Sequence, residues 1–207
     1  YLRYLGSLQK KIILSTGMSN INEIKKAVKI LIKSGTKKNN ISILHCNTEY
    51  PARIEKINLM SVKYLKDKLN MNVGYSDHSK GYEASLMAMS LGANIFEKHF
   101  TLNKKMNGPD HKASLSQFEL FTYIKKLRLF YKSLGEYQKK PYDAEIKISK
   151  IVRKKIVASM RIKRGQKFSS KNLTTKRAPN GISAAYWDKI IGKISKYNFF
   201  ENQGIKI

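Results

Sequence analysis

The chain has 207 residues, 42% of them hydrophobic, which is enough for one large globular domain or two small ones. No apolar run approaches the roughly 20 residues needed to cross a bilayer, and the N-terminus lacks a secretory layout, so we expect a cytoplasmic protein that does not enter a membrane. The lone cysteine, Cys46, excludes an internal disulfide.

The formal net charge is +27, from 41 Lys and Arg against 14 Asp and Glu. Such an excess is the usual footprint of a nucleic-acid-binding surface. Here, however, the lysines are spread over the whole chain with Ile and Asn, a mixture that A+T-rich coding also produces, and no aromatic-basic RNA-recognition signature is present. We therefore expect no specific nucleic-acid partner, and a field that can steer an anionic small substrate.

Short strand-like segments alternate with helical ones as far as residue 134. Each strand-like segment is rich in β-branched or aromatic residues and ends in polar ones, and the first helical pattern follows Ser19 and Asn20, which are placed to cap it. Strand and helix repeated four times predict parallel strands with crossover helices, hence an α/β sheet or barrel. The predicted strands span residues 10–17, 40–48, 71–78 and 93–101, and the predicted helices span residues 21–31, 58–69, 82–91 and 115–134.

Polar residues cluster where these strands end. The carboxyl ends of parallel strands meet at one edge of a sheet or barrel, so the loops that follow them converge on a shared pocket. The clusters are Ser15-Thr16, Asn47-Thr48-Glu49-Tyr50, Ser76-Asp77-His78 and Glu97-Lys98-His99.

The composition changes after about Gly135. Residues 136–150 are charged, contain Pro141 and are typical of a linker. From Ile151 onward the apolar runs are short and rich in turns, which predicts a small β-containing module over residues 151–207 that docks on another surface.

His78 and His99 are the main candidates for chemistry. Each stands at the end of a predicted strand with one helix between them, which places both side chains on adjacent strands of a parallel sheet. Two ring nitrogens can share a divalent metal, with water or substrate completing the coordination. Alternatively, both are partly buried histidines satisfied by hydrogen bonds, and spacing alone leaves both interpretations open.

Other polar residues could hold a ligand, each with a plainer alternative. Ser15 and Ser76 could bind a phosphate through their hydroxyls, or could serve as helix caps. Asp110 lies in a Gly-Pro-Asp-His segment that could be a turn only. The Tyr50 phenol could face a ligand or cover the core.

Five phrases, in this order and spacing, carry a family resemblance. They read LSTGMS from residue 14, LHCNTEYP from 44, VGYSDHSKG from 73, GANIFEKHFTL from 92 and GPDHKASLSQFE from 108. Together they resemble the sialic acid synthase family, the bacterial N-acetylneuraminate synthases. The later phrases IVAS, IKRG, KNLTTKRAPNGIS and IIGK are similar to the C-terminal antifreeze-like, or SAF, domain of that family.

The resemblance implies an α/β fold in two domains and a reaction. Residues 1–135 would be the C-terminal half of a TIM (β/α)8 barrel, with strands five to eight of the family barrel, residues 136–150 a linker and residues 151–207 a small β-rich SAF domain of the β-clip type. The implied transferase condenses phosphoenolpyruvate with open-chain N-acetylmannosamine, releasing phosphate and forming N-acetylneuraminate. In that family Mn²⁺ or Mg²⁺ acts as the Lewis acid on the sugar aldehyde.

Residue roles follow from the same resemblance. His78 and His99 match the two metal ligands, and Glu97 matches an acidic pocket residue that either handles a proton or orients a neighbour. Arg177 matches an arginine that reaches the sugar site of the neighbouring subunit, which implies a domain-swapped homodimer. The residues matched to substrate are Ser15, Ser76, Asn47 and Thr48 for phosphoenolpyruvate, and Tyr50 and Asp110 for the sugar.

Two departures from the family pattern accompany these matches. Lys176-Arg177-Ala178-Pro179 stands where relatives commonly have Lys-Arg-Pro-Gly, so the loop that aims Arg177 is expected to differ in shape. Only four barrel strands are predicted, so the resemblance implies an N-terminally incomplete chain that needs a complementary N-terminal barrel half. A natural truncation, a split gene or an incomplete sequence would each produce it.

Three functions remain open at this point. The first is an N-acetylneuraminate synthase, and the second is a synthase of the related legionaminate or pseudaminate. The form CNTEYP, from Cys46 to Pro51, looks more like the neuraminate and legionaminate branches. The third is an inactive remnant whose SAF module still binds a sugar.

Overall fold

Four parallel strands form the sheet of the first unit. A computed structural model describes residues 1–207 and divides them into two units, Tyr1–Glu136 and Tyr137–Ile207. The strands pair in sequence order, and a helix follows each of them, so the first unit has half the βα repeats of a (β/α)8 barrel, as predicted. The strands are β1 (Ile12–Ser15), β2 (Ile41–Cys46), β3 (Asn72–Asp77) and β4 (Phe96–Lys98), and the helices are α1 (Leu2–Ser7), α2 (Ile21–Lys33), α3 (Met60–Leu69), α4 (Glu83–Ser90) and α5 (Gln117–Leu134).

Alternation of side chains gives the sheet one face packed on helices and one face that carries polar groups. Successive strand residues point to opposite sides. Ile43, Val73 and Tyr75 are buried in the main core, so their neighbour Ser76 faces away from it. The helices add to that core Ile24, Val28 and Leu31 from α2, Val62 and Leu65 from α3, and Ala84 and Ala88 from α4.

Gly74 lets β3 lie close to the segment that leads into β4. A Cβ at this position would collide with the carbonyl oxygen of Ile95 and would lie 2.5 Å from Leu44 Cδ2. The Tyr75 amide donates to that same Ile95 carbonyl at 2.8 Å. Any side chain at residue 74 would therefore push apart the two strands on which the predicted histidines stand.

Two helices of the first unit begin with a capping box. In α2 the side chain of Asn20 accepts from the Glu23 amide, while Glu23 accepts from the Asn20 amide, so Asn20 rather than Ser19 is the cap. In α5 the same exchange joins Ser116 and Glu119. Each box satisfies two backbone donors that a helix start otherwise leaves unpaired.

The second unit is built on an antiparallel pair of strands. Helix α6 (Asp143–Val152) leads into β5 (Lys154–Ala158), which pairs with β6 (Leu173–Arg177), and a short helix, α7 (Trp187–Ile190), follows. Its core consists of Ile156, Ala158, Ile162, Phe168, Leu173, Ile190, Phe199 and Ile205.

The segment predicted as a linker is partly helical. Pro141 lies before Tyr142, the N-cap of α6, so the proline stands outside the helix and does not interrupt it. The Tyr142 amide donates to the Glu145 side chain at 2.9 Å, which completes the helix start. In neither unit does a helix combine the length and the apolarity that crossing a bilayer requires.

Glu119 ties α5 to the segment that leads into it. Its Oε2 accepts from the Ser116 amide at 2.7 Å and hydroxyl at 2.8 Å, and Lys104 Nζ lies 2.6 Å away. Lys104, followed by the Ser116 amide, lowers the pKa of Glu119 from 4.5 to about 2. Because the folded-state pKa lies below the unfolded one, this stabilisation is present above pH 4.5 and is lost as the pH falls towards 2.

We predict that Glu119→Gln lowers the free energy of unfolding at neutral pH by about 0.5–1 kcal/mol, a small amount because the carboxylate is substantially exposed. The difference from the unchanged protein should shrink as the pH falls from 4.5 towards 2, since the glutamate then takes up a proton. Urea unfolding followed by circular dichroism measures both effects. Glu55→Gln, at an exposed acid, is the control, and a Glu119→Gln effect independent of pH would contradict the prediction.

Candidate functional site

Two histidines face each other at the carboxyl edge of the sheet. His78 directly follows β3 and His99 directly follows β4. The register of these strands pairs Ser76 with Glu97, so residues 78 and 99 come into line two positions later. Their ring centroids are 5.2 Å apart and their planes are nearly perpendicular, at 76°. The two predicted metal ligands are thus neighbours in the folded chain.

The ring of His78 is oriented by a backbone carbonyl. Its Nδ1 lies 2.5 Å from the carbonyl oxygen of Asn47, and because a carbonyl only accepts, this nitrogen carries a proton. Burial lowers the pKa of His78, and the neighbouring His99 acts in the same direction against the Asn47 hydrogen bond. The neutral ring with the proton on Nδ1 is therefore favoured, which leaves the lone pair on Nε2.

Ser76 and Glu97 form a hydrogen-bonded pair beside that lone pair. Ser76 Oγ donates to Glu97 Oε1 at 2.6 Å and lies 3.2 Å from His78 Nε2. A serine hydroxyl has one hydrogen, so the bond to Glu97 leaves none for the imidazole. The Nε2 lone pair is consequently available to a ligand, which is what a metal-binding histidine needs.

Tyr50 covers both imidazoles. Its ring centroid lies 4.1 Å from that of His78 and 4.9 Å from that of His99. The segment after it is held by the Ala52 amide, which donates to the His78 carbonyl at 2.8 Å. The phenol itself is about half exposed, so the tyrosine both packs on the site and faces outward.

Asp110 approaches the site from the turn before α5. Its Oδ2 is 3.9 Å from His99 Nδ1, too long for a hydrogen bond but close enough for an ion pair when the ring is charged. The Leu115 amide donates to the His99 carbonyl at 2.8 Å, which fixes this turn against the end of β4. The Gly-Pro-Asp-His turn therefore does bring its acid close to His99.

Asn47 has one polar atom without a partner in the chain. Its Nδ2 donates to the Lys56 carbonyl at 3.0 Å, whereas its Oδ1 is buried and accepts no hydrogen bond. A buried amide oxygen left unsatisfied costs about 1–3 kcal/mol. Such an atom fits a site whose remaining hydrogen-bond donor arrives with a ligand.

The other predicted site residues form no hydrogen bond or ion pair with the two histidines. Ser15 is the last residue of β1 and is exposed at the same edge of the sheet, and Thr48 follows β2, where its methyl group lies next to Gly17. Arg177 ends β6 in the second unit and is exposed. The proposed ligand contacts of these three residues stay predictions.

Sequence reasoning placed Asp77 and Lys98 at the strand ends but gave them no role. They form an ion pair of 3.0 Å whose side chains are almost completely buried. Strand alternation places them on the face opposite Ser76 and Glu97. Strand alternation was the available signal, because it turns the middle residue of Ser-Asp-His and of Glu-Lys-His towards the helices.

The donor set fits a divalent cation with an open coordination sphere. No group of three or more His, Cys, Asp and Glu side chains is arranged to hold a metal ion, so His78 and His99 would be a two-ligand set. Imidazole nitrogens suit several divalent ions, and a Lewis-acid site requires open positions for substrate and water.

Profiles of two protein families match this chain. That of the NeuB family matches residues 1–139, and that of the SAF domain matches residues 153–207. The chain belongs to the NeuB family. The resemblance stated from the sequence is confirmed, and the NeuB match contains the whole cluster around His78 and His99.

The relatives of this NeuB-family chain include synthases of legionaminic, pseudaminic and sialic acid. The N,N'-diacetyllegionaminic acid synthase of Campylobacter jejuni is 49% identical over 206 residues, which are 100% of this chain and 62% of the relative. The pseudaminic acid synthase of the same organism is 33% identical, with 93% of this chain and 55% of the relative covered. The structure of an N-acetylneuraminic acid (sialic acid) synthetase from Leptospira borgpetersenii with citrate matches with a TM-score of 0.65 and 33% identity, covering 72% of this chain and 52% of that one.

The unsatisfied oxygen of Asn47 leads to a stability prediction. Asn47→Ala removes a hydrogen bond to Lys56 but also removes the unpaired Oδ1, so we expect the free energy of unfolding to change by less than about 1 kcal/mol. Asn72→Ala is the matched control, because Asn72 hydrogen-bonds Ser42 and Asn94 and its loss should be destabilising. Urea unfolding measures both, and a larger loss for Asn47→Ala than for Asn72→Ala would contradict the prediction.

Proposed function

We propose that this chain carries the metal and phosphoenolpyruvate contacts of a NeuB-family synthase that joins phosphoenolpyruvate to an N-acetylated amino sugar and releases phosphate. The observation that carries the proposal is the pair of imidazoles, His78 and His99, with the Ser76–Glu97 hydrogen bond beside them. The family supports the reaction class. Because the chain spans 62% or less of the relatives described above, the activity is that of the whole synthase.

His78 and His99 would hold Mn²⁺ or Mg²⁺. His78 would bind through Nε2, since its Nδ1 is occupied by the Asn47 carbonyl. When bound, such an ion supplies Lewis-acid polarisation of the sugar's aldehyde oxygen. Tyr50 packs on both rings and would exclude bulk water from that side.

In the proposed reaction, Ser76 couples the binding of phosphoenolpyruvate to the hydrogen bonding of the Glu97 carboxylate. Its single hydrogen is donated to Glu97 in the free protein, and a phosphoenolpyruvate phosphate oxygen at this edge would compete for it. Turning the hydroxyl towards the phosphate frees the Glu97 carboxylate to accept a proton from the water that adds to the substrate. Glu97 would thus orient Ser76 before binding and handle a proton afterwards.

The remaining predicted contacts divide between the two substrates. Ser15, Asn47 and Thr48 lie at the same sheet edge, and we assign them to phosphoenolpyruvate, for which hydroxyl and amide groups are suitable donors. Tyr50 and Asp110 flank the histidines and are assigned to the sugar. Arg177 would reach the sugar of a neighbouring subunit in a homodimer.

The sugar is either N-acetylmannosamine or the amino sugar that gives N,N'-diacetyllegionaminic acid. The second candidate rests on the 49% identity to the Campylobacter jejuni legionaminic acid synthase, compared with 33% to the pseudaminic acid synthase of the same organism. We therefore prefer legionaminate to pseudaminate as the product.

A chimeric enzyme tests the proposal. Residues 1–207 replace the matching part of the Campylobacter jejuni legionaminic acid synthase, and phosphate release from phosphoenolpyruvate is measured with each candidate sugar and Mn²⁺. We expect turnover that is lost on chelation. His78→Ala and His99→Ala should each lower turnover by more than about 100-fold, beyond the effect typical of residues that only orient a ligand.

His45→Gln is the matched control for these histidine changes. His45 lies on β2, stacks on Tyr75 and bonds the Ile57 carbonyl at 2.7 Å, so it belongs to the fold and not to the site. It should leave the metal requirement unchanged. A folded chimera that binds phosphoenolpyruvate yet turns over equally well with His78→Ala would sink the ligand assignment.

A further inference from the structure

A buried ion pair lies directly behind the two histidines. Asp77 ends β3 and Lys98 ends β4, they are register partners, and Asp77 Oδ2 lies 3.0 Å from Lys98 Nζ. Their side chains are 0% and 4% exposed. His78 and His99 are the next residues in the chain, so alternation points the histidines to the opposite face.

Every charged atom of this pair has a hydrogen-bond partner. Asp77 Oδ1 accepts from the amide and the hydroxyl of Ser79, at 2.9 and 2.7 Å, and Oδ2 accepts from the Ser85 hydroxyl at 2.7 Å. Lys98 also donates to the Ser79 carbonyl. The Ser85 hydroxyl in turn bonds the Tyr123 hydroxyl at 2.7 Å. The pair therefore joins the ends of β3 and β4 to α4 and α5.

The ion pair is not needed to fill this space. Two well-packed apolar side chains often stabilise an interior as much as a buried ion pair does, because burying charge is costly. What the pair adds is a fixed distance and direction between two particular atoms. Those atoms belong to Asp77 and Lys98, the peptide neighbours of His78 and His99.

We infer that Asp77 and Lys98 are positioning residues that hold the two histidine rings at the separation a shared divalent cation requires. The inference rests on the metal site proposed above. On the opposite face of the sheet, the Ser76–Glu97 hydrogen bond joins the same two strands. The histidines therefore come directly after strand ends that are linked by this hydrogen bond on one face and by the Asp77–Lys98 ion pair on the other. Without the ion pair, the strands keep their backbone hydrogen bonds, but the side chains no longer fix the distance between the strand ends that His78 and His99 follow.

Lys98→Met in the intact chain tests the inference, since methionine retains much of the volume without the charge. We expect Mn²⁺ binding, measured by electron paramagnetic resonance of the free ion, to weaken by about 10–100-fold, as for residues that orient a ligand. In the metal-free protein, nuclear Overhauser contacts between the rings of His78 and His99 should disappear. Lys63→Met is the matched control, because Lys63 and Asp67 form an exposed pair at 2.8 Å, and it should change neither measurement.

Ser85→Ala keeps the test decisive if Lys98→Met does not fold. It removes one hydrogen bond to Asp77 and leaves both charges in place, so we expect a smaller loss of Mn²⁺ affinity, about threefold. Unchanged Mn²⁺ affinity and unchanged ring contacts in folded Lys98→Met would overturn the inference. If only Ser85→Ala folds, unchanged affinity in that variant would overturn it.

The metal site and the positioning role fail in different ways. If the unchanged protein binds no Mn²⁺, or binds it equally well with His78→Ala, the metal site is wrong, and the ring contacts alone decide whether Lys98 positions the histidines. If binding requires His78 but is unaffected by Lys98→Met, the metal site stands and the positioning role is wrong.

Discussion

The buried pair of Asp77 and Lys98 determines how β3 can be aligned with β4. A shift of one residue in the register would turn every side chain of a strand to the other face. It would move a charge out of its paired, hydrogen-bonded setting, and a buried charge without its partner costs about 3–5 kcal/mol. The hydrogen bond from Ser76 to Glu97 exists only in the observed register, and the facing histidines follow from the same alignment.

The order of strands and helices could be predicted because the apolar period changes repeatedly between two and 3.6 residues. The extent of β4 could not. Residues 93–101 have a strand-like composition, yet only Phe96–Lys98 forms the strand. The His99 carbonyl and the Thr101 amide pair instead with Leu115, which lies beyond a turn, and no local pattern indicates this partner. Helix α6 was missed for a related reason, because Pro141 reads as a breaker unless the cap after it is known.

The candidate site was predictable in residue type and not in connectivity. His78, Glu97 and His99 stand out because polar side chains at strand ends are candidates for chemistry. The acceptor that orients His78 is a main-chain carbonyl, which every residue possesses and which therefore leaves no signal in the sequence. The hydroxyl that completes the Asp77 network comes from Ser85, an ordinary-looking residue of an apolar helix. Such partners are set by tertiary packing and become visible only in the folded chain.

In the proposed metal site, the charges of the surrounding residues favour a cation that binds together with an anionic substrate. Imidazole ligands carry no negative charge, so the two proposed ligands would leave the charge of a divalent ion uncompensated, unlike carboxylate ligands. The nearest acids, Glu97 and Asp110, lie outside the proposed ligand pair and offset only part of that charge, with Asp110 Oδ2 3.9 Å from His99 Nδ1. Phosphoenolpyruvate would bring the missing negative charge, and a chain of net charge +27 favours its approach. The residues present therefore suit an ion whose affinity rises when the substrate is bound, because the substrate supplies the charge that the protein ligands do not.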